Sequence, residues 1–132
     1  MDPKKSCVLL ADRHHGLRDS VRGLLETEFD IVFMVATESA LLEGAARLNP
    51  AVVVLDLSLS AGDLPRLLGC VSDRAPDAKV VVVSVYDERT VAQCALAAGA
   101  DAVVLKRCLG TDLIPAVDSV LRGRRFLSAG IA

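Results

Sequence analysis

Five short apolar runs recur along the chain: Cys7 to Ala11, Ile31 to Val35, Ala51 to Leu55, Val80 to Val83 and Ala102 to Leu105. Each is continuously apolar, as strands covered on both faces must be. The intervening stretches carry helical spacing instead. Leu17, Val21, Leu24 and Leu25 fall on one face, as do Leu64, Leu67, Leu68 and Val71, and later Leu113, Val117, Val120 and Leu121. Leu41, Leu42, Ala45 and Leu48 mark a further helix, closed by Asn49 and Pro50 before the third strand. Asp63 is placed to cap the third helix, with Pro65 in its first turn, and Asp87 to cap the fourth, which Gly99 closes in a left-handed turn. Thr111 is placed to cap the fifth, with Pro115 near its opening turn. The pattern is βα repeated five times, which requires right-handed crossovers and a parallel sheet with helices on both faces. A barrel would need eight such repeats, and the helices share no motif that would mark a repeat protein. The prediction is one α/β domain, a doubly wound, open, five-stranded parallel sheet.

Composition narrows the class. The 132 residues are 52% hydrophobic, 24% charged and 3% aromatic, sufficient to bury one core and too few for two ordinary domains. The net charge is -2, with -3 up to Arg66 and +1 after it, so neither half is basic enough to hold a phosphodiester backbone by charge alone. The four cysteines, at 7, 70, 94 and 108, have no paired spacing and no histidine placed to complete a zinc site. Reduced thiols in a cytoplasmic protein are the expectation, with Cys94 and Cys108 as small buried hydrophobes. The apolar run after Ser6 is too short for a signal-peptide core, and Asp56, Ser84 and Lys106 interrupt the longest apolar stretches, so no membrane partner is expected.

In open parallel sheets the ligand sits outside the carboxyl ends of the strands. The residues that follow the apolar runs there are Asp12, Arg13, His14 and His15, then Asp56, then Ser84, then Lys106. Any one of these is what a strand reaching water requires. Two carboxylates, a hydroxyl and an ammonium together have the complementarity of a site. The first turn lacks the paired glycines of a dinucleotide site, and no Walker lysine motif is present. A triad of Ser84, His14 or His15 and Asp12 can be assembled, yet no nucleophile elbow surrounds the serine, so hydrolase chemistry is set aside. The set suits a carboxylate nucleophile that accepts a phosphoryl group while a cation offsets charge on the phosphoryl oxygens.

These residues resemble the receiver domain of two-component response regulators. Val8-Leu9-Leu10-Ala11-Asp12 is similar to the acidic first strand, Val54-Leu55-Asp56-Leu57-Ser58 to the phosphoacceptor segment, Val83-Ser84 to the hydroxyl position, and Gly99 through Lys106 to the lysine segment. The ending Gly123-Arg124-Arg125-Phe126-Leu127-Ser128 resembles the subfamily whose receiver precedes a LuxR-type helix-turn-helix DNA-binding domain. The resemblance implies strand order 2-1-3-4-5. It implies one receiver domain over 1–132, with a core near 7–123 and 124–132 starting a linker towards an effector domain outside the chain. It also implies that Asp56 takes a phosphoryl group from a histidine kinase and that Asp12, Asp56 and the Ser58 carbonyl hold Mg²⁺. Ser84 and Lys106 would then sense the phosphoryl oxygens. A homodimer and DNA contact through the effector domain are the further partners implied, with no enzymatic role.

Departures from the family pattern bear on this. A second acidic residue usually follows the first, and here Arg13 stands there. Arg13 either pairs with Asp56 inside the pocket or extends along its stem into solvent, leaving Asp12, Asp56 and water to hold metal. Leu59-Ser60 replaces a frequent Met-Pro, Leu64 a frequent glycine, and Arg107 a proline. Val103 occupies a position commonly aromatic and mobile on activation, which leaves Tyr86 as the aromatic candidate at the strand-helix junction. His14 is expected to be a loop residue near the pocket, and Arg122, Arg124 and Arg125 to complement a helix C-terminus. Two readings stay open: a phosphorylated switch acting through the face of helix 4, strand 5 and helix 5, or a phosphorylation-independent pseudo-receiver for protein interaction or dimerisation. A nucleotide-binding enzyme fits the sheet but lacks phosphate-cradling glycines.

Overall fold

A computed structural model describes the backbone of residues 5–13 and 15–131 and the side chains of 7–13 and 19–131. The elements run β1 (Lys5–Ala11), α1 (His15–Leu25), β2 (Phe29–Val35), α2 (Glu38–Leu48), β3 (Val52–Asp56), α3 (Leu64–Arg74), β4 (Lys79–Ser84), α4 (Arg89–Ala98), β5 (Ala102–Leu105), α5 (Leu109–Leu121) and β6 (Phe126–Leu127). Short 3-10 turns follow β3, over Leu57–Ser60, and β5, over Lys106–Cys108. The strands form one parallel sheet in the order β2-β1-β3-β4-β5-β6. The predicted five-stranded core is present in the implied order, and β6 adds a two-residue sixth strand.

Alternation along each strand divides the core between two layers. Val8, Leu10, Val52, Val54, Val81, Val83 and Val104 pack with Val21 and Leu25 of α1 and Leu113, Val117 and Val120 of α5. Leu9, Val53, Leu55, Val80, Val82 and Val103 pack with Leu41 and Ala45 of α2, Leu67 and Val71 of α3, and Ala92 and Ala95 of α4. Every residue of β3 is buried, as expected of a central strand with helices above and below. At Gly44 of α2 an added Cβ would lie 3.2 Å from Leu9 Cδ2, so a glycine lets this helix sit close against β1.

Most boundary signals act as predicted. Asp63 accepts the Arg66 N–H at 3.2 Å to cap α3, and Gly99 ends α4 at φ 117°. Two caps are corrected. Glu88, not Asp87, is the residue before α4, and its side chain makes no capping bond; Asp87 pairs with Arg107 at 3.5 Å. The turn over Lys106–Cys108 lets α5 begin at Leu109, so Thr111 lies inside its first turn and donates to the Cys108 carbonyl, while Pro115 lies in the helix interior.

Within the segment 124–132, the chain first adds to the edge of the sheet. Phe126 and Leu127 pair with Ala102 and Val103, and Ser128 is buried behind them. Its hydroxyl donates to Asp112 Oδ2 at 2.7 Å and accepts the Leu105 N–H at 3.0 Å, tying the last strand to α5 one residue before Lys106. Ser128→Ala strands a buried N–H and a carboxylate oxygen, and is expected to cost about 1–2 kcal/mol in urea unfolding with the m-value unchanged.

Candidate functional site

The register of the sheet gathers the polar strand ends. Ala11 lies opposite Leu55, Asp56 opposite Val83, and Ser84 opposite Leu105. Asp12, Asp56, Ser84 and Lys106 therefore emerge on one edge, as the sequence pattern predicts. Asp12 and Asp56 are both buried, and the Asp12 N–H donates to the Val35 carbonyl at 3.0 Å, which fixes the turn out of β1.

Asp56 ends β3 and is held from two sides. Its Oδ1 accepts the Ser58 N–H at 3.1 Å, capping the 3-10 turn that follows. Its Oδ2 accepts from Lys106 Nζ at 3.0 Å, an ion pair whose side chains are 5% and 22% exposed. Burial pushes the Asp56 carboxyl upward, but the Lys106 bond, the Ser58 N–H, the Lys106 charge and the Asp12 carboxyl group together outweigh it. The group is held below the usual carboxylate range. A buried carboxylate kept ionised, with an ammonium fixed against one oxygen, is what nucleophilic attack on phosphorus needs.

Ser84 is buried, and its hydroxyl is engaged by the backbone of its own loop. It accepts the Tyr86 N–H at 2.9 Å and donates to the Tyr86 carbonyl at 3.3 Å, bracing the loop into α4. Tyr86 and Val85 are exposed, and they line a groove of about 700 Å³ that runs from Asp56 and Lys106 between the Leu57–Ser60 turn and α4. Leu64 and Pro65 form its opposite wall. The sequence reading did not foresee this groove, although consecutive apolar residues after Ser84, where a polar loop is expected, were its available sign. Val103, at the commonly aromatic position, is buried in the layer against α4 and is not among the residues that line the groove. Cys94 is exposed and lines the groove and Cys108 is half-buried, against the expectation that both would be buried. Ala92 and Ala95 take the inward positions of α4 in place of Cys94.

Arg13 takes a course between the two predicted for it. It is exposed, yet its Nη1 comes within 3.5 Å of the Ser58 carbonyl oxygen. Among the described residues no ion pair joins Arg13 to Asp56, whose partner is Lys106. His14 lies outside the described residues. The oxygen donors implied for Mg²⁺ are therefore the Asp12 and Asp56 carboxylates and a Ser58 carbonyl that already faces a guanidinium. Among the described residues no group of three or more His, Cys, Asp or Glu converges. A guanidinium beside one of the three oxygens, where a carboxylate would serve the ion, makes this a poorer fit for a divalent hard cation.

Comparison with known proteins agrees with this geometry. The family model of the response regulator receiver domain matches residues 8–118. The transcriptional regulatory protein MctR of Rhizobium johnstonii is 28% identical over 132 residues, covering 94% of this chain and 59% of its own length. The DNA-binding transcriptional activator DevR/DosR of Mycobacterium tuberculosis is 30% identical over 122 residues, covering 91% of this chain and 56% of its own. The chain thus spans under two thirds of the length of these relatives. In fold, a LuxR-family two-component response regulator from Aurantimonas sp. SI85-9A1 superimposes with a TM-score of 0.87 at 24% identity, over 98% of this chain and 93% of that one. From the acidic turn after β1 to the lysine after β5, the chain belongs to the family of response regulator receiver domains.

Proposed function

We propose that this receiver is a phosphorylation-driven switch in which Asp56 is the phosphoacceptor. The observation that carries this reading is the buried, ionised Asp56 with Oδ2 3.0 Å from Lys106 Nζ. A carboxylate oxygen of Asp56 attacks the phosphorus of a phosphohistidine on a histidine kinase. The P–N bond breaks, its electron pair leaves with the imidazole, and a mixed anhydride forms on Asp56. Lys106 offsets the added charge on the phosphoryl oxygens. The receiver acts in this as substrate and signal, not as an enzyme.

The switch follows from Ser84. To donate to a phosphoryl oxygen its hydroxyl must leave the Tyr86 backbone, which frees the loop into α4. Two arrangements of that loop, one braced by Ser84 and one released, give a bistable element that covalent charge biases. The change reaches the face made by α4, β5 and α5, where a homodimer or an effector domain is met. The named relatives, a transcriptional regulatory protein and a DNA-binding transcriptional activator, support transcription control through such a domain. The reading places this work in the cytoplasm. No helix of the described residues is long and apolar enough to cross a membrane.

Incubation with a small acyl-phosphate donor and Mg²⁺, followed by intact mass, tests the reading. The wild type is expected to gain one phosphoryl group and Asp56→Asn none, with amide shifts at 84–91 only in the wild type. An unmodified wild-type mass would favour the pseudo-receiver reading, for which the Arg13 contact at Ser58 is the supporting observation.

A further inference from the structure

Arg13 is the feature that the family pattern does not absorb, and its contact gives it a role. We infer that Arg13 supplies in the chain itself the positive charge that a divalent ion would supply, so that Asp56 accepts a phosphoryl group without metal. This rests on Asp56 being the phosphoacceptor.

The placement begins with the sheet register. Ala11 opposite Leu55 sets Asp12 beside Asp56, and the next residue, Arg13, stands at the mouth of the pocket. From there its guanidinium reaches across to the turn that follows Asp56, 3.5 Å from the Ser58 carbonyl. On the opposite side Lys106 Nζ contacts Asp56 Oδ2. Two carboxylates are thus flanked by two cations, and the charges balance without a third. With an acidic residue in place of Arg13, three carboxylates would face one lysine, an excess only a divalent ion could relieve.

The chemistry of the side chain suits the task. A guanidinium stays protonated throughout the accessible range and presents N–H groups in a planar fork that matches two phosphoryl oxygens. The Ser58 carbonyl is a neutral acceptor at long range, so an arriving dianionic phosphoryl group is the stronger partner. Arg13 can exchange one for the other by rotation of an exposed stem. The guanidinium also works against metal: it repels a divalent cation and engages the carbonyl that the ion would use.

The test is phosphorylation of the full chain by a small acyl-phosphate donor in excess EDTA and, separately, in Mg²⁺, read by intact mass. Wild type is expected to react at similar rates in both, within about twofold, whereas Arg13→Ala loses about tenfold or more in EDTA, as removal of one charge-assisted contact predicts. Arg13→Asp is expected to react only in Mg²⁺. Amide spectra titrated with Mg²⁺ alone give an independent reading. Asp12 and Asp56 signals should saturate in Arg13→Asp and stay unmoved in wild type, and the spectra report folding of each variant. Wild-type reaction confined to Mg²⁺, or Arg13→Ala as reactive as wild type in EDTA, would overturn the inference and leave Asp56 as phosphoacceptor. No wild-type adduct in either condition would overturn both.

Discussion

Lys106→Met is expected to lower the stability of the domain by about 3 kcal/mol near neutral pH, because it leaves the Asp56 carboxylate buried without its cation. The side chains are close in length, so the loss is of charge and of a 3.0 Å hydrogen bond more than of volume. The size follows from burial. Asp56 is 5% exposed, so water cannot take the place of the ammonium, whereas pairs such as Arg22 with Glu26, both about half exposed, contribute little.

The pH dependence identifies the cause. In the wild type the Asp56 carboxyl is held below its ordinary value of 3.8, so its contribution is complete above that value and is lost as pH falls through the lower folded value. In Lys106→Met the upward push of burial loses its main opponent, and the folded value moves above the unfolded one. The variant then regains stability as pH falls from neutral towards the unfolded value, because the neutral acid is tolerated where the anion is not. The gap between wild type and variant is therefore widest near pH 7 and narrower by roughly pH 4, and it closes only as pH falls through the lower wild-type folded value. Urea unfolding at the two pH values measures it; a gap of constant size would mean that lost packing, not the ion pair, is responsible. Lys106→Arg, which keeps the charge, should recover most of the difference.

How far this site was legible in the sequence depends on the length scale of each interaction. The apolar runs and the polar residue after each one are imposed by a sheet buried on both faces, so Asp12, Asp56, Ser84 and Lys106 could be named before any coordinates. The order of the strands entered through family resemblance, because periodicity alone does not set it. Short-range geometry was less visible. Thr111 resembles a cap, but the 3-10 turn over Lys106–Cys108 moves the start of α5 to Leu109. Phe126 and Leu127 form a strand too short to show a period, and Ser128, a polar residue in an exposed-looking tail, is buried because it satisfies Leu105 and Asp112 together. Arg13 was open between two outcomes, since a long flexible side chain takes its course from the carbonyls around it, and the Ser58 carbonyl exists only once the turn after Asp56 has formed. Ser84 could be placed beside the site, but its local bonds to the Tyr86 backbone, on which the proposed switch depends, leave no mark on composition or spacing.

Leu9→Ala is expected to be the most destabilising truncation in the sheet, at about 3–4 kcal/mol and roughly 10–15 °C in Tm. Leu9 is fully buried in the strand that lies between β2 and β3, and its methyl groups fill the space under α2. Phe33, its neighbour on β2, is 39% exposed, and Phe33→Ala should cost clearly less despite removing a larger group. The close approach at Gly44 makes the cavity testable from the other side. In the wild type Gly44→Ala gains helix propensity of about 1 kcal/mol, but its Cβ would press on Leu9 Cδ2 at 3.2 Å, so the two effects offset. In the Leu9→Ala background that obstacle is gone and the added methyl enters the vacated space. Gly44→Ala should then be stabilising by about 1 kcal/mol or more, so the coupling between the two substitutions is favourable, opposite in sign to the loss from Leu9→Ala alone. Additivity in that double-mutant cycle, measured by urea unfolding, would mean that α2 shifts away from β1 on truncation and that the glycine does not set the spacing between them.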